Sequence, residues 1–210
     1  MKIMSHSARS DISAFVLAGG NSVRFGGADK ARARWGDQPL LAHVVASLQA
    51  RFSHVYVVSK RATDYADVVH VPVLADVHPN CGPLGGIHAG LAHSPTDWNL
   101  FVACDMPWLQ PLLIEHLAAK TSAQLDAVVP EVGGWLIPTL ALYHRRILAQ
   151  AEAALAARRL ALQAFLQTLH THVVPQAELE TLDPSLQSFS NLNTPQAWRQ
   201  ALAQCQTSPL

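Results

Sequence analysis

Cysteine is scarce: Cys81, Cys104 and Cys205 are the only three in 210 residues. An odd number with no close pair and no metal-type spacing excludes a disulfide framework and fits a reducing compartment, so the cytoplasm is the expected location. Charge is thin as well. Charged residues make up 14% of the chain, and 15 basic against 15 acidic residues leave a formal net charge of zero. No overall field draws such a surface to nucleic acid or to an anionic membrane, so an anionic ligand must be held by local charges. No stretch approaches the roughly 18 unbroken apolar residues of a membrane helix, and Met1 to Ser13 lacks the apolar core of a signal peptide. No Gly-Lys-Ser/Thr follows a glycine loop, which excludes a Walker-type phosphate loop, and the glycine spacing excludes the dinucleotide G-x-G-x-x-G pattern.

Hydrophobic residues, by contrast, are half of the chain, enough to bury a large α/β core. Ile12 to Leu17 reads as a strand running into the small residues Ala18-Gly19-Gly20-Asn21-Ser22. Helical spacing of Leu40, Leu41, Val44, Val45 and Leu48 predicts a helix over Pro39 to Arg51, with Pro39 in its first turn. Strands are expected at His54 to Ser59, Val68 to Leu74 and Asn99 to Cys104, and helices at Leu84 to His93 and Leu112 to Lys120. The later part is less regular. Strands are expected at Ala127 to Pro130, Leu136 to Tyr143 and Thr171 to Val174, helices near Arg145 to Ala157 and Ala161 to Leu169, and a last helix from Asn193-Thr194-Pro195. Such β-α-β alternation implies a three-layer α/β/α architecture with a mostly parallel sheet. Ligands then gather at the carboxyl edge of that sheet.

Three constellations fall at that edge. Leu17-Ala18-Gly19-Gly20 through Arg24-Phe25-Gly26-Gly27-Ala28-Asp29-Lys30 combines glycines, whose backbone N–H groups approach an anion closely, with the cations Arg24 and Lys30. Arg32 and Arg34, set against Asp29 alone, add to the expectation of a phosphate cradle rather than a plain surface loop. Asp105 directly follows the apolar run Leu100 to Cys104. Alone it would read as a turn residue before Met106-Pro107, but beside a cationic loop it reads as a ligand for Mg²⁺, a hard ion that takes oxygen donors. Asp76 precedes Gly82-Pro83-Leu84-Gly85-Gly86, where a helix start can offer N–H groups to a base or ribose and the carboxylate can accept from a sugar or guanine. The eleven histidines read as solvated or packed residues, and the scattered tryptophans Trp35, Trp98, Trp108, Trp135 and Trp198 as core or edge packing rather than a base-stacking platform.

Together with Pro39-Leu40, Arg61, Cys104-Asp105-Met106-Pro107 and Asn191-Leu192-Asn193-Thr194-Pro195, these motifs resemble, in order and approximate spacing over most of the chain, the molybdenum cofactor guanylyltransferase family. The resemblance implies a single Rossmann-like nucleotidyltransferase domain over residues 1–210, with a nucleotide-binding half at about 12–110 and an acceptor-binding half at about 111–205. It implies transfer of GMP from GTP to molybdopterin, with Mg²⁺ as cofactor, GTP and molybdopterin as substrates, and transient contact with molybdoenzymes or cofactor chaperones. The protomer is expected as a monomer or weak homo-oligomer. By the same resemblance Leu17, Ala18, Gly19, Gly20, Lys30, Asp76, Gly82, Pro83 and Asp105 contact the nucleotide, Asp105 also binds the metal, and Arg24 meets the phosphates. Lys30, Asp105 and Arg24 are thus the catalytic candidates, while Asn191 and Asn193 line the acceptor side. Phe25 stands where the family usually has methionine, and three further positions depart from its pattern. Ser59 or backbone stands in for an asparagine after the second strand, Ile137-Pro138 replaces a His-Pro pair, and no acidic residue precedes Arg158-Arg159. A cytidylyltransferase, a sugar-phosphate nucleotidyltransferase or a non-catalytic nucleotide-binding chaperone on the same fold would carry many of the same residues.

Overall fold

The computed structural model describes residues 8–19, 29–192, 198 and 201. β1 (Arg9–Leu17) is buried from Ile12 to Val16 and forms the middle of the sheet. A short hairpin of β2 (Arg34–Trp35) and β3 (Gln38–Pro39) leads to α1 (Leu40–Gln49), then β4 (Phe52–Ser59), β5 (Val73–Ala75), α2 (Pro83–His93) and β6 (Trp98–Ala103). α3 (Pro111–Ala119), β7 (Ala127–Val132), β8 (Trp135–Leu136), β9 (Leu140–His144), α4 (Leu148–Ala156), α5 (Leu162–Leu166), β10 (Thr171–Val174) and α6 (Gln176–Leu179) follow.

The main sheet has eight strands in the order β10-β7-β9-β6-β1-β4-β5, with β8 paired to β7 alone. Pairing is parallel except at β9, which runs antiparallel to both β6 and β7, and at β8. Each face is covered because the strand residues alternate. Ile12, Ala14 and Val16 join α1, α3 and Leu179 of α6 in one core, whereas Phe15, Val58 and Phe101 join α2, α4 and α5 in the other. α1 buries Leu41, Val44, Val45 and Leu48, the i, i+3, i+4, i+7 stripe of the sequence, each worth ~1.5–3 kcal/mol when removed from water. On the other face Phe15 stacks between Tyr56 and Phe101 at 5.0 Å from each. Gly90 of α2 lies over that stack, where a Cβ would meet Phe101 at 2.6 Å.

Several expected elements differ. The strand expected over Val68 to Leu74 contracts to Val73–Ala75, since Pro72 cannot donate to a ladder and Val68, Val69 and Val71 instead pack into the α1 core. The strand expected over Leu136 to Tyr143 is broken at Ile137-Pro138-Thr139 into β8 and β9, for the same reason. Pro39 is the N-cap of α1 rather than part of its first turn, because it also closes the β2–β3 hairpin. α5 is shorter than expected, and the antiparallel sense of β9 and the short α6 were not foreseen. Thr171–Val174 is a strand as expected. Asn193, Thr194 and Pro195, where a last helix is expected to start, lie outside the described residues, while Trp198 and Ala201 beyond them are helical.

Candidate active site

In chain order the sheet grows outward from β1 to β4 and β5, then returns to β6 on β1's other side. The carboxyl ends of β1 and β6 therefore flank the point where the strand order reverses, the crevice in which open α/β sheets bind ligands. Leu17 pairs with Ala103 there, and the next residues stay joined: Cys104 N–H donates to Leu17 O (3.1 Å) and Ala18 N–H to Val58 O (2.8 Å). A cleft of about 550 Å³ opens over this edge, with Lys30, Lys60, Asp76 and Asp105 around it.

Lys30 and Asp105 are 75 positions apart in sequence, yet Lys30 Nζ donates to Asp105 Oδ2 at 3.1 Å. Both side chains are largely shielded, at 13% and 17% exposure. Packing away from the cleft explains the meeting. Lys30 opens a 3₁₀ turn that runs into the β2–β3 hairpin, where Trp35 contacts Trp108 edge-on at 5.2 Å and Trp198 at 5.8 Å. Trp108 stands just past Asp105, and His43 of α1 donates from Nε2 to Pro107 O (3.0 Å). The tryptophans thus hold the lysine turn against the aspartate turn from below. From the late part of the chain, Leu192 N–H donates to Asp105 O (3.2 Å), bringing Asn191 alongside.

Asp76 follows β5, its N–H donating to Ser59 O (2.7 Å) and its Oδ1 accepting from His78 N–H (2.8 Å). Burial raises its pKa above the ordinary carboxylate value, an effect the His78 N–H bond partly opposes. Gly82 begins α2 at φ 63° and ψ −156°, a region essentially restricted to glycine. Gly85 and Gly86 then let α2 come close: a Cβ on the first would lie 2.8 Å from an Asp76 oxygen, and on the second 2.8 Å from Leu17 Cδ2. Beside Asp105, burial pushes the Cys104 thiol up to about 12, which favours the protonated form at neutral pH.

Residues 14–173 match the family of the MobA-like NTP transferase domain. A molybdenum cofactor guanylyltransferase from Vibrio cholerae is 36% identical over 189 residues, covering 89% of both chains. The chain belongs to the molybdenum cofactor guanylyltransferase family. It is a nucleotidyltransferase. A second guanylyltransferase relative, from Syntrophotalea carbinolica, is 36% identical over 87% of this chain and 86% of its own. In structure the chain resembles the molybdopterin-guanine dinucleotide biosynthesis protein A of Archaeoglobus fulgidus, with a TM-score of 0.82 at 26% identity over 93% of this chain and 100% of that one. A 2-C-methyl-D-erythritol 4-phosphate cytidylyltransferase from Thermus thermophilus shares the fold, with a TM-score of 0.67 at 16% identity over 94% and 100%.

Against the family's pattern, Leu17, Ala18, Gly19, Lys30, Asp76, Gly82, Pro83 and Asp105 all line one cleft. Gly20, Arg24 and Asn193 lie outside the described residues. Asn191 is exposed beside Asp105 and is not part of the cleft wall. Arg32 and Arg34, expected to add charge to the phosphate loop, do not line the cleft: Arg32 forks onto Asp67 at 2.6 and 2.8 Å, and Arg34 donates to Asp37 O. The Ser59 hydroxyl, the stand-in for the family's asparagine, donates to Asp64 (2.9 Å). Trp35, Trp108 and Trp198 pack on one another and Trp98 on His144 at 5.2 Å, as expected of packing residues, but Trp135 departs from that expectation, being 71% exposed on the β7–β8 hairpin. Lys60, Asn80 and Thr139 line the cleft without having been foreseen. Lys60 was detectable as a cation directly after a buried parallel strand, whereas Thr139 enters only through the antiparallel return of β9, its carbonyl accepting from Ala103 N–H (2.8 Å).

Proposed function

We propose that this protein transfers GMP from GTP to the terminal phosphate of molybdopterin, releasing pyrophosphate and leaving a guanine dinucleotide cofactor. Its relatives from Vibrio cholerae and Syntrophotalea carbinolica are molybdenum cofactor guanylyltransferases, which supports the guanylyl transfer and the acceptor. The observation that carries the catalytic reading is the Lys30–Asp105 contact of 3.1 Å at the reversal point of the sheet. A cation and a carboxylate held together at that edge suit a triphosphate and its counter-ion.

A phosphate monoester acceptor is largely ionised near neutral pH, its second pKa being about 6, so in-line attack on the α-phosphorus needs no strong general base. Charge neutralisation and alignment are the protein's tasks. Lys30 and Lys60 would face the phosphate oxygens, with Arg24 as a further expected partner. Asp76 and the start of α2, held close by Gly85, would receive the nucleoside. Asn191 would stand on the acceptor side of Asp105.

Mg²⁺ fits this donor set. Among the described residues no group of three His, Cys, Asp or Glu could hold a metal ion, which disfavours an all-protein cage but suits an ion that keeps its waters and takes one or two carboxylates plus substrate phosphates. Asp105 keeps lone pairs to offer while Oδ2 accepts from Lys30. When bound, the ion would act as Lewis acid and template for the triphosphate.

The test is pyrophosphate release with each of the four nucleoside triphosphates, with and without molybdopterin and Mg²⁺. Release only with GTP, acceptor and Mg²⁺ together is expected. Preference for CTP, or GTP binding without turnover, would overturn the guanylyl transfer.

A further inference from the structure

We infer that Tyr65, which none of the nucleotide motifs contains, is a positioning residue that fixes Lys30 in the cleft through Asp29. The inference rests on the catalytic reading of Lys30 given above. Tyr65 is 7% exposed and stands at φ 62°, a left-handed conformation that a bulky aromatic residue rarely adopts. Such strain persists only where surroundings over-determine it, and here they do. On its N-terminal side Asp64 accepts from the Ser59 hydroxyl (2.9 Å) and Arg61 N–H (3.2 Å), and on its C-terminal side Val68 and Val69 N–H both donate to Tyr65 O (2.8 and 3.0 Å).

That backbone aims the phenol at the Lys30 turn. Tyr65 O–H lies 3.2 Å from Asp29 Oδ1 and 3.4 Å from Ala18 O, the first residue past β1. Asp29 is the N-cap of the turn that begins at Lys30, and the same Oδ1 accepts from Ala31 N–H (3.0 Å). Arg32, at the end of that turn, lies over the Tyr65 ring at 5.3 Å. One phenol therefore joins the lysine turn to the carboxyl end of the central strand, and the ring backs the turn's last residue. Burial, then the Asp29 charge, raise the phenol's pKa, keeping it a proton donor at neutral pH.

The experiment measures kcat/KM for GTP and Tm in Tyr65→Phe, Asp29→Ala, Asp29→Asn, the Tyr65→Phe/Asp29→Ala double variant and Lys30→Ala. Tyr65→Phe keeps the buried ring and deletes only the hydroxyl. Its kcat/KM is expected to fall about tenfold as Lys30 loses its fixed position, with Tm lowered by no more than a few degrees for the one hydrogen bond removed. Asp29→Ala should lose at least as much, since it also removes the cap on Ala31, and the double variant no more than Asp29→Ala alone, because that change already removes the phenol's contact with Asp29. Asp29→Asn keeps an Oδ1 for both donors and should stay near wild type. Wild-type kinetics in Tyr65→Phe, or strictly additive losses, would overturn the positioning role. If Lys30→Ala itself turns over normally, the catalytic reading of Lys30 fails first; if only Lys30→Ala is impaired, that reading stands and the Tyr65 inference alone falls.

Discussion

On the proposed assignment of Asp76 to the nucleotide, Gly85→Ala should separate the stability of this fold from its nucleotide recognition. In Gly85→Ala the new Cβ would lie 2.8 and 2.9 Å from the two carboxylate oxygens of Asp76. Real Cβ atoms do not approach so closely, and the carboxylate, the far end of a short side chain, is what yields. Two effects on stability oppose each other. Alanine in place of glycine inside α2 gains up to about 1 kcal/mol, and displacing Asp76 from His78 N–H, 2.8 Å away, costs about 0.5–1.5 kcal/mol. The net is close to zero, so Tm should move by less than ~4 °C for a chain of this size. Recognition has no such compensation. A carboxylate turned away from the nucleoside loses a charge-assisted hydrogen bond of ~1.5–3 kcal/mol, which raises the KM for GTP roughly 10- to 100-fold. Initial rates against GTP concentration, together with a thermal melt, check both halves. A KM within twofold of wild type in a folded protein would refute the assignment of Asp76 to the nucleotide.

Gly90→Ala should do the reverse: its Cβ would meet Phe101 at 2.6 and 2.8 Å and Phe15 at 3.0 Å, and those buried rings cannot yield, so a loss of ~1–3 kcal/mol in a denaturant melt is expected with an unchanged KM for GTP. Asp76→Asn is expected to raise Tm at neutral pH while weakening GTP binding. Because burial raises the Asp76 pKa in the fold, its contribution to stability is greatest below the unfolded carboxylate value, about 3.9, and is lost as pH rises through the raised value; the Tm advantage of the variant should therefore vanish in acid, and a pH-independent difference would contradict that origin. Trp35→Ala should cost ~3–5 kcal/mol, since it empties the contact between the lysine hairpin and Trp108, and a melt within 2 °C of wild type would show that contact to be idle.

Much of this is legible in the sequence. The even alternation of apolar strands and roughly ten-residue helices from Ile12 to Lys120 reflects burial on both faces of a parallel sheet, which periodicity reports directly. Lys30 and Asp105 could be placed at one sheet edge because each follows a strand or its loop. Their 3.1 Å contact could not, since it depends on tryptophans far apart in sequence meeting beneath them. The later part was harder because Pro138 cuts one apolar run into two strands, one paired with β7 alone and the other lying between β7 and β6, and strand sense is not written in hydrophobic pattern. Tyr65 escaped for a related reason: its role comes from a left-handed backbone that no residue type announced. Arg32 and Arg34 misled because charge composition counts cations without showing which of them already hold a carboxylate or carbonyl.

The most direct test is single-turnover guanylyl transfer by Asp105→Asn, an isosteric change that removes the charge from the carboxylate that meets Lys30 at 3.1 Å. A drop of roughly 10²- to 10³-fold is expected, the scale for losing a preorganised electrostatic group, with Tm changed by only a few degrees because both side chains retain some solvent contact. Transfer within threefold of wild type would contradict the account.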